Sequence, residues 1–244
     1  MTQVKLGDKN IPFIYQGNEL LYPNPIKNGL VLYYDFKGMK NSDASKNVAR
    51  DLSGNGNNGT LQNFNYTNDS GYNDGLKFDN VDDTIVTNTD IESKSFTLSM
   101  TIDININTQR NVQFLFGGVS HAFYMRKNFN DLHASIFTTK QVTAPSGNKF
   151  FYELFSEGKT KCQVTLKVDD DNKTLSILGN GIVIGERLFD ESISKWSLTR
   201  LGTWSSPVEN NLDGSLLSTQ LYTRALTEEE IQHNYKIEKE RWGL

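Results

Sequence analysis

Short runs in which apolar and polar residues alternate recur along most of this sequence, and they restrict its fold more than any other feature. Clear cases are residues 30–36, 95–104, 112–116, 132–137 and 174–178. A period of two puts every second side chain on one face, as a half-buried strand requires. Gly, Asn, Asp and Ser separate the runs at short intervals. Many short strands joined by turns are typical of an antiparallel sandwich or barrel, not of a parallel α/β sheet.

Two local features refine this prediction. Gly179-Asn180-Gly181 lies between the run 174–178 and the apolar residues 182–184, which predicts a β-hairpin. Cys162, the only cysteine, begins another strand-like run. It has no partner for an intrachain disulfide, so we expect a buried strand residue.

Composition supports a packed core and excludes some partners. Hydrophobic residues make up 36% of the 244 residues, with 14 Phe and 10 Tyr. A net charge of -4 offers no basic surface for nucleic acid or anionic lipid. No apolar run reaches the roughly 18 residues of a membrane helix, and residues 1–6 lack the apolar centre of a signal peptide. We therefore expect synthesis in the cytoplasm and no binding to nucleic acid or membrane.

One helix is indicated near the C-terminus. Thr227 followed three residues later by Glu230 forms a capping box, in which each side chain bonds the other residue's backbone N–H. The acidic first turn also suits the helix dipole. The sequence therefore predicts a helix over 227–240. The residues expected to dock on a sheet are Ile231, Tyr235 and Trp242.

Residues 1–25 differ from the rest of the chain. Their compact apolar pattern consists of Val4, Leu6, Ile11, Phe13, Ile14 and Tyr15. Pro23 and Pro25 favour an extended hinge, so we predict a β-hairpin arm over 1–25 and a main domain over 26–244. About 20 residues cannot bury a core alone, which suggests that the arm anchors the protein in an assembly. The alternative is that the arm packs back onto its own domain.

Four stretches of the main domain occur in a characteristic order. They are residues 29–36, 51–61 (DLSGNGNNGTL), 75–85 and 212–231, the last containing LYTRALTEEEI. Together they resemble the laminin-G-like branch of the concanavalin A-type lectin and glucanase superfamily, over about residues 29 to 235. Asn80 stands where that family usually has Gly. The resemblance implies an all-β concanavalin/laminin-G-like antiparallel sandwich (jelly roll), with the short N-terminal β arm and the C-terminal helix added to it.

The arm carries a resemblance of its own. Val4-Lys5-Leu6-Gly7, Ile11 to Gly17 and Leu20-Leu21-Tyr22-Pro23 are similar to the start of many tail and baseplate proteins from phages of Gram-positive hosts. Pro12 departs from that pattern and weakens the strand there. The resemblance implies a minor structural protein of the virion that contacts other tail or baseplate proteins through residues 1–25.

Catalysis is not indicated. Glycan-cleaving members of the superfamily place an E-x-D-x-x-E set on one strand, and no such spacing occurs here. Asp169-Asp170-Asp171 is interpreted as a solvated hairpin turn, since it lacks the Gly and Glu of an EF-hand loop. The three histidines show no metal-binding spacing. We expect no enzyme activity.

Carboxylate and amide oxygens at the sandwich rim are the ligands that Ca²⁺ prefers, and laminin-G-like domains often hold this ion there. The candidate Ca²⁺ ligands are Asp51, Asn55, Asp82, Asp83 and Asp213. The alternative is that these acids cap turns.

Sugar binding requires a planar aromatic side chain beside amide and carboxylate groups, because the apolar face of a sugar stacks while its hydroxyls need partners. Trp204, in a loop, fits that role, although a place in the core is an equal alternative. A second loop offers Tyr66, Asn68, Asp69, Tyr72 and Asn73, with a plain surface loop as its alternative. Trp196 lies in a strand-like run that favours the core.

These observations favour a non-catalytic carbohydrate-binding module of a phage tail or baseplate that recognises host cell-wall glycan. A purely structural tail subunit making protein contacts is the alternative, and the two roles are compatible. A homo-oligomer is left open. A glycan hydrolase is the third possibility, and the missing carboxylate set opposes it.

Overall fold

The computed structural model describes residues 5–16, 19–105, 107, 111–117, 121–137, 141–145, 159–193, 196–204 and 210–244. In these residues the strands form two eight-stranded antiparallel sheets around a shared core, two small ribbons, and one α-helix near the C-terminus. The expected all-β sandwich is confirmed. A short 3-10 turn spans Lys127–Phe129.

The arm forms two ribbons where one hairpin was expected. β1 (Lys5–Leu6) pairs with β2 (Lys9–Asn10), and β3 (Ile14–Gln16) pairs with β4 (Glu19–Tyr22). The break between the ribbons falls at Pro12, which cannot donate a ladder hydrogen bond. Val4 and Gly17 of the arm pattern lie outside the described residues.

The first sheet, sheet I, closes one side of the sandwich. In spatial order it consists of β15 (Gln141–Pro145), β14 (Asp131–Phe137), β13 (Ala122–Arg126), β12 (Val112–Gly117), β19 (Trp196–Leu201), β10 (Thr84–Ile91), β7 (Gly59–Gln62) and β6 (Val48–Ala49). Trp196 thus lies in a strand, as expected.

The second sheet, sheet II, faces it. In spatial order it consists of β18 (Ile182–Leu188), β17 (Thr174–Gly179), β16 (Lys161–Asp169), β11 (Phe96–Ile104), β20 (Asp213–Tyr222), β9 (Leu76–Asp79) and β8 (Gly71–Tyr72). β5 (Leu30–Asp35) also pairs with β20, beyond the segment that β9 occupies.

The core lies between the two sheets because each strand alternates its side chains. Sheet I contributes buried residues such as Leu115 and Phe123, and sheet II contributes residues such as Leu98 and Leu166. The predicted position of Cys162 is confirmed, since it is fully buried in β16. Burial raises the pKa of its thiol, so it is not a reactive group.

The expected hairpin at residues 174–184 is also confirmed. β17 and β18 pair antiparallel with Gly179 opposite Ile182. The two connecting residues, Asn180 and Gly181, have φ of 50° and 77°. A two-residue turn of this kind needs positive φ at both positions, which Asn and Gly adopt most readily.

The C-terminal helix, α1, spans Glu228–Trp242 and confirms the predicted capping box. The Thr227 hydroxyl accepts from the backbone N–H of Glu230, and the Glu230 carboxylate accepts from the backbone N–H of Thr227. Gly243 ends the helix in the left-handed conformation, with φ of 71°. The helix therefore runs two residues beyond the predicted range of 227–240.

The face of α1 that packs on sheet II is more polar than the expected stripe. Ile231 and Trp242 are buried as predicted, but Tyr235 is only half-buried. Glu238 is fully buried and accepts hydrogen bonds from Ser218 and Thr101 hydroxyls. Helical periodicity predicts which face of α1 is buried. It does not predict that this face includes a carboxylate, because the hydroxyl groups that make its burial possible come from strands distant in sequence.

Candidate functional site

Three loops meet at one end of the sandwich, and hydrogen bonds tie their described residues together. The Ser70 hydroxyl donates to the Asp83 carboxylate at 3.1 Å. The Asn63 side chain donates to the backbone carbonyl of Asp82 at 3.0 Å. From the third loop, the Asn211 side chain donates to the carbonyl of Val81. Three segments far apart in the sequence therefore share one rim.

Trp204 belongs to the third of these loops and is 48% exposed. Its ring stacks on Phe114 of β12, with the ring centroids 5.1 Å apart and the planes inclined by 30°. Trp204 is therefore not a core residue, which was the alternative to a place in a binding site. Residues 205–209, which follow it, lie outside the described residues.

The ring beneath Trp204 continues into a row of aromatic side chains across sheet I. The centroids of Phe114 and Tyr124 are 4.9 Å apart, and those of Tyr124 and His133 are also 4.9 Å apart. These residues lie on the adjacent strands β12, β13 and β14, and the spacing matches the distance between neighbouring strands. The row occupies the face of sheet I opposite the core, so the sheet itself fixes the support under Trp204.

Two glycines allow this arrangement. A Cβ at Gly117 would lie 2.5 Å from Cα of Trp204, so only glycine lets the loop cross β12 this closely. A Cβ at Gly202 would lie 2.2 Å from Cε1 of Phe78, and Gly202 also has a φ of 81°. The loop thus turns tightly against the core just before Trp204.

Polar groups accompany the aromatic row on the same sheet face. Arg126 and Asp131 form an ion pair next to Tyr124 and His133. Burial lowers the pKa of His133, which keeps its ring neutral near pH 7. Nδ1 of His133 and Nη1 of Arg200, both buried, make no hydrogen bond to another described atom.

The second candidate loop divides between surface and core. Tyr66 is half-buried, with the Lys46 ammonium 4.4 Å from its ring centroid. Tyr72 is only 5% exposed and donates its hydroxyl to the carbonyl of Lys46, so its ring serves the core and presents no stacking face. Exposed Asn68, Asp69 and Asn73 surround them, and the Asn73 side chain donates to the carbonyl of Asn68.

The structure brings together two of the five candidate Ca²⁺ ligands. Carboxylate oxygens of Asp82 and Asp83 lie with one of Asp79 in a group within 4.8 Å of one another. Burial raises the pKa of Asp83 to about 7, and the nearby carboxylates of Asp79 and Asp82 add to the effect. Hydrogen bonds from the Asp79 backbone N–H and the Ser70 hydroxyl oppose it. Three carboxylates suit a divalent cation, although the two hydrogen bonds already hold Asp83 in place.

The other three candidates are engaged by hydrogen bonds to other parts of the chain. The Asp51 carboxylate accepts from four groups, which are the backbone N–H of Tyr33, Ser53 and Asn57 and the hydroxyl of Ser53. Asn55 donates to the carbonyl of Leu30, and Asp213 accepts from the Asn105 side chain. The turn-capping alternative therefore describes Asp51 and Asn55, while Asp213 lies opposite Asp79 in the ladder between β20 and β9.

Sequence analysis did not select Phe114, Tyr124, His133 or Asp79. Phe114 and Tyr124 lie in strand-like runs, where an aromatic residue usually packs in the core. The available signal was alternation, since Leu115 and Phe123 occupy the opposite face. Period two marks Tyr124 and His133, but a bulge between Phe114 and Phe116 puts both Leu115 and Phe116 in the core, so alternation alone does not place Phe114.

Neither a protein-family model nor a curated protein matches this chain. Solved structures share its fold at low sequence identity. Trypanosoma rangeli sialidase in complex with sialic acid has a TM-score of 0.56 and 18% identity, covering 85% of this chain and 32% of that chain. The botulinum neurotoxin serotype D binding domain has a TM-score of 0.61 and 15% identity, covering 87% of this chain and 53% of that chain. The binding domain of botulinum neurotoxin DC in complex with SialylT has a TM-score of 0.56 and 13% identity, with coverages of 86% and 51%.

The chain spans about a third of the sialidase and about half of each toxin domain. At these identities the similarity shows a common β-sandwich fold. No helix among the described residues is long and apolar enough to cross a membrane.

Proposed function

We propose that the chain is a non-catalytic, lectin-like module that binds carbohydrate, with Trp204 as the residue on which a sugar ring stacks. The observation that carries the proposal is a half-exposed indole supported by a fixed aromatic row. A rigid planar ring loses little conformational entropy on binding, and its face suits the C–H face of a sugar.

In the proposed site, polar side chains of the neighbouring rim loops would supply the groups that sugar hydroxyls need. Asn63, Asn68 and Asn73 offer amides that donate and accept, and Asp82 offers a carboxylate that accepts. In the proposed site Trp204 provides the stacking surface, while these side chains fix the orientation of the ligand. The cluster of Asp79, Asp82 and Asp83 belongs to the same rim, and a bound Ca²⁺ there would hold the turn between β9 and β10 in place.

The solved structures support this proposal through their ligands. The sialidase is in complex with sialic acid, and one toxin binding domain is in complex with SialylT. We extend the proposal to biological context from the resemblance of the arm. The module then belongs to the tail or baseplate of a phage, is located in the virion, and recognises glycan of the host cell wall.

Binding of the purified protein to immobilised cell-wall polymer and to a glycan array tests the proposal. Wild type should bind a subset of glycans, and W204A should weaken that binding at least tenfold, about 1.4 kcal/mol. F129A is the matched control, since Phe129 is exposed as well but lies in the 3-10 turn. Equal binding by W204A and wild type would reject Trp204 as the contact. Measuring whether sugar is released from the bound polymer tests the proposal that the module is non-catalytic, which predicts no release.

A structural role in the tail is the second candidate, and the arm favours it. The arm exposes the apolar side chains of Leu6 and Leu21, which a partner protein could cover. If the protein without residues 1–25 keeps the circular dichroism spectrum of a folded sandwich, it should no longer enter particles or oligomers. Normal assembly of the truncated protein would show that the arm is not the anchor. Mass spectrometry of purified particles tests the virion location.

A further inference from the structure

The carboxylate of Glu238 is completely enclosed between α1 and sheet II. Its Oε2 accepts hydrogen bonds from the Thr101 hydroxyl at 3.0 Å and the Ser218 hydroxyl at 2.6 Å, and the Gln220 amide lies 3.4 Å from its Oε1. Among the described residues no cation forms an ion pair with it. A buried carboxylate whose bonding partners are all neutral is costly in its charged form.

The charges buried around Glu238 do not balance. The nearby carboxylate of Asp35 on β5 is paired with the guanidinium of Arg241 on α1, and Nε and Oδ2 are 2.5 Å apart. This guanidinium is therefore already neutralised by one carboxylate. The cluster holds two carboxylates and one cation, so a proton on Glu238 is what makes it neutral.

The other titratable groups near Glu238 do not supply a second positive charge. The phenols of Tyr33 on β5 and Tyr222 on β20 face the cluster, and burial raises the pKa of both, which keeps them uncharged. Lys37 follows β5, but its ammonium pairs with Asp74 at an exposed position, 3.2 Å away. The proton on Glu238 thus has no substitute within the cluster.

The same surroundings raise the pKa of Glu238. Burial is the largest cause, and the charge of Asp35 adds to it. The hydrogen bonds from Ser218 and Thr101 and the charge of Arg241 oppose this rise without cancelling it. The amide of Gln220 can accept the proton if it is turned about its terminal bond, because its oxygen and nitrogen then exchange places.

The packing of α1 allows the helix to open while the sandwich stays closed. Ile231 of α1 belongs to a small apolar cluster with Leu178, Tyr222 and Leu226, which is separate from the core between the two sheets. Segments with few buried apolar contacts open more readily than the main core of a protein. The docking of α1 is therefore sensitive to a charge that appears beneath it.

Arg241 connects this end of α1 to the arm. Its Nη1 donates to the backbone carbonyl of Pro12 at 2.8 Å. The guanidinium carbon lies 4.8 Å from the ring centroid of Phe13 and 5.8 Å from that of Tyr22. In the described residues no strand of the arm pairs with sheet I or sheet II, so side-chain contacts of this kind hold the arm in place.

We propose that a proton on Glu238 latches α1 onto sheet II, and that loss of this proton as the pH rises loosens α1 and the arm together. Glu238 binds its proton more tightly in the docked helix than in water, where a Glu titrates at about 4.3. The stabilisation is therefore complete at low pH and is lost as the pH rises through the raised pKa of the folded state. The inference does not depend on sugar binding, because Glu238 lies outside the proposed sugar site.

Hydrogen–deuterium exchange of the full chain, followed by mass spectrometry, tests the latch at about pH 6 and about pH 9. After correction for intrinsic exchange rates, α1 and the arm of wild type should lose at least about tenfold in protection at the higher pH, since one proton changes an equilibrium by up to tenfold per pH unit. In E238Q, which resembles the protonated side chain, the loss should be below about twofold. At the higher pH, α1 should also be less protected than β11 and β16.

D83N is the matched control, because the pKa of Asp83 is also raised but its side chain lies in the turn between β9 and β10. D83N should lose protection in α1 as wild type does. An equal loss in E238Q and wild type overturns the latch, and so does a D83N protein without the loss. Equal protection of α1 and the two strands at the higher pH means that the whole fold opens, which also overturns it. An arm that stays protected while α1 opens overturns the link between them.

S218A decides the question if E238Q does not fold. The Ser218 hydroxyl stabilises the charged form of Glu238, so its removal should raise the pH at which α1 loses protection by about half a unit or more. An unchanged or lower pH of opening in S218A overturns the proposal.

Discussion

The guanidinium of Arg241 and the carboxylate of Asp35 are both buried and meet between α1 and sheet II, with Nε and Oδ2 2.5 Å apart. The Tyr33 hydroxyl also donates to this carboxylate, at 3.1 Å. Sheet II thereby fixes the position of the C-terminal turn of α1. Because Arg241 also holds the arm, this ion pair links the end of α1, sheet II and the arm.

Substitution of Asp35 should strongly lower the free energy of unfolding. D35A leaves the buried charge of Arg241 without its carboxylate, and such a change typically costs about 3–5 kcal/mol. Urea unfolding monitored by circular dichroism measures the free energy of unfolding. D74A is the control, because Asp74 pairs with Lys37 and Lys161 at an exposed position and should cost less than about 1 kcal/mol. Similar losses for both variants would mean that the Arg241–Asp35 pair does not stabilise the fold as described.

Asp83 should make stability depend on pH. Its pKa in the folded protein is about 7, above the roughly 3.9 of an unfolded Asp, so the folded state binds the proton more tightly. This contribution to stability is present at low pH and is lost as pH rises to about 7. Relative to wild type, D83N should therefore gain about 2 kcal/mol or more in the free energy of unfolding between pH 4 and pH 8. A difference that does not change with pH would refute the raised pKa.

A divalent cation at the rim should be detectable without any sugar. Added Ca²⁺ at pH 8 should raise the melting temperature of wild type, because it neutralises the carboxylates of Asp79, Asp82 and Asp83. D82N should reduce that shift while melting like wild type in EDTA. D69N, at an exposed loop position outside the cluster, should keep the full shift. An equal response of D82N and wild type to Ca²⁺ would place the ion elsewhere.

The turn before Trp204 should tolerate no side chain. G202A meets Phe78 and also has positive φ, so we expect a loss of at least about 3 kcal/mol from strain and clash together. G56A is the matched control, since Gly56 has a φ of 78° and open space around it. That change should cost only about 1–2 kcal/mol. Comparable melting temperatures for G202A and G56A would contradict the close packing of the loop on the core.

Glu230 combines two roles at the start of α1. Its carboxylate accepts from the backbone N–H of Thr227 and receives two hydrogen bonds from Arg224, at 2.7 Å and 2.6 Å. E230Q should lower the free energy of unfolding by about 1–2 kcal/mol. Arg224 lowers the pKa of Glu230, so this loss should vanish in acid, where wild type is protonated as well. E228Q, at an exposed position in the same turn, should change stability by less than about 0.5 kcal/mol.

The sandwich could be predicted because its signals are local. Alternation in 95–104 becomes β11, the Asn180-Gly181 turn becomes a hairpin, and Thr227 with Glu230 becomes a capping box. In each case residues close in sequence decide the backbone conformation. The family resemblance placed these elements in one fold, and the structure confirms that fold class.

The candidate site was harder to predict because it depends on distant contacts. Asp82 and Asp83 were selected, yet Asp51 looked equally suitable until its carboxylate was found to accept from backbone groups of its own turn. Tyr72 sits in a loop-like stretch but contacts Lys46, which is far away in sequence. Sequence composition identifies groups able to bind a ligand, whereas packing decides which of them remain accessible.

The position of β20 has a consequence for how the protein is made. β20 pairs with β11 along one edge and with β5 and β9 along the other, so it lies at the centre of sheet II. Among the described strands it is also the last in chain order. A ribosome therefore releases β5, β9 and β11 long before the strand that joins them exists. Until residues 213–222 emerge, the strand edges that pair with β20 lack their partner, and unpaired edges of this kind favour aggregation of a growing chain.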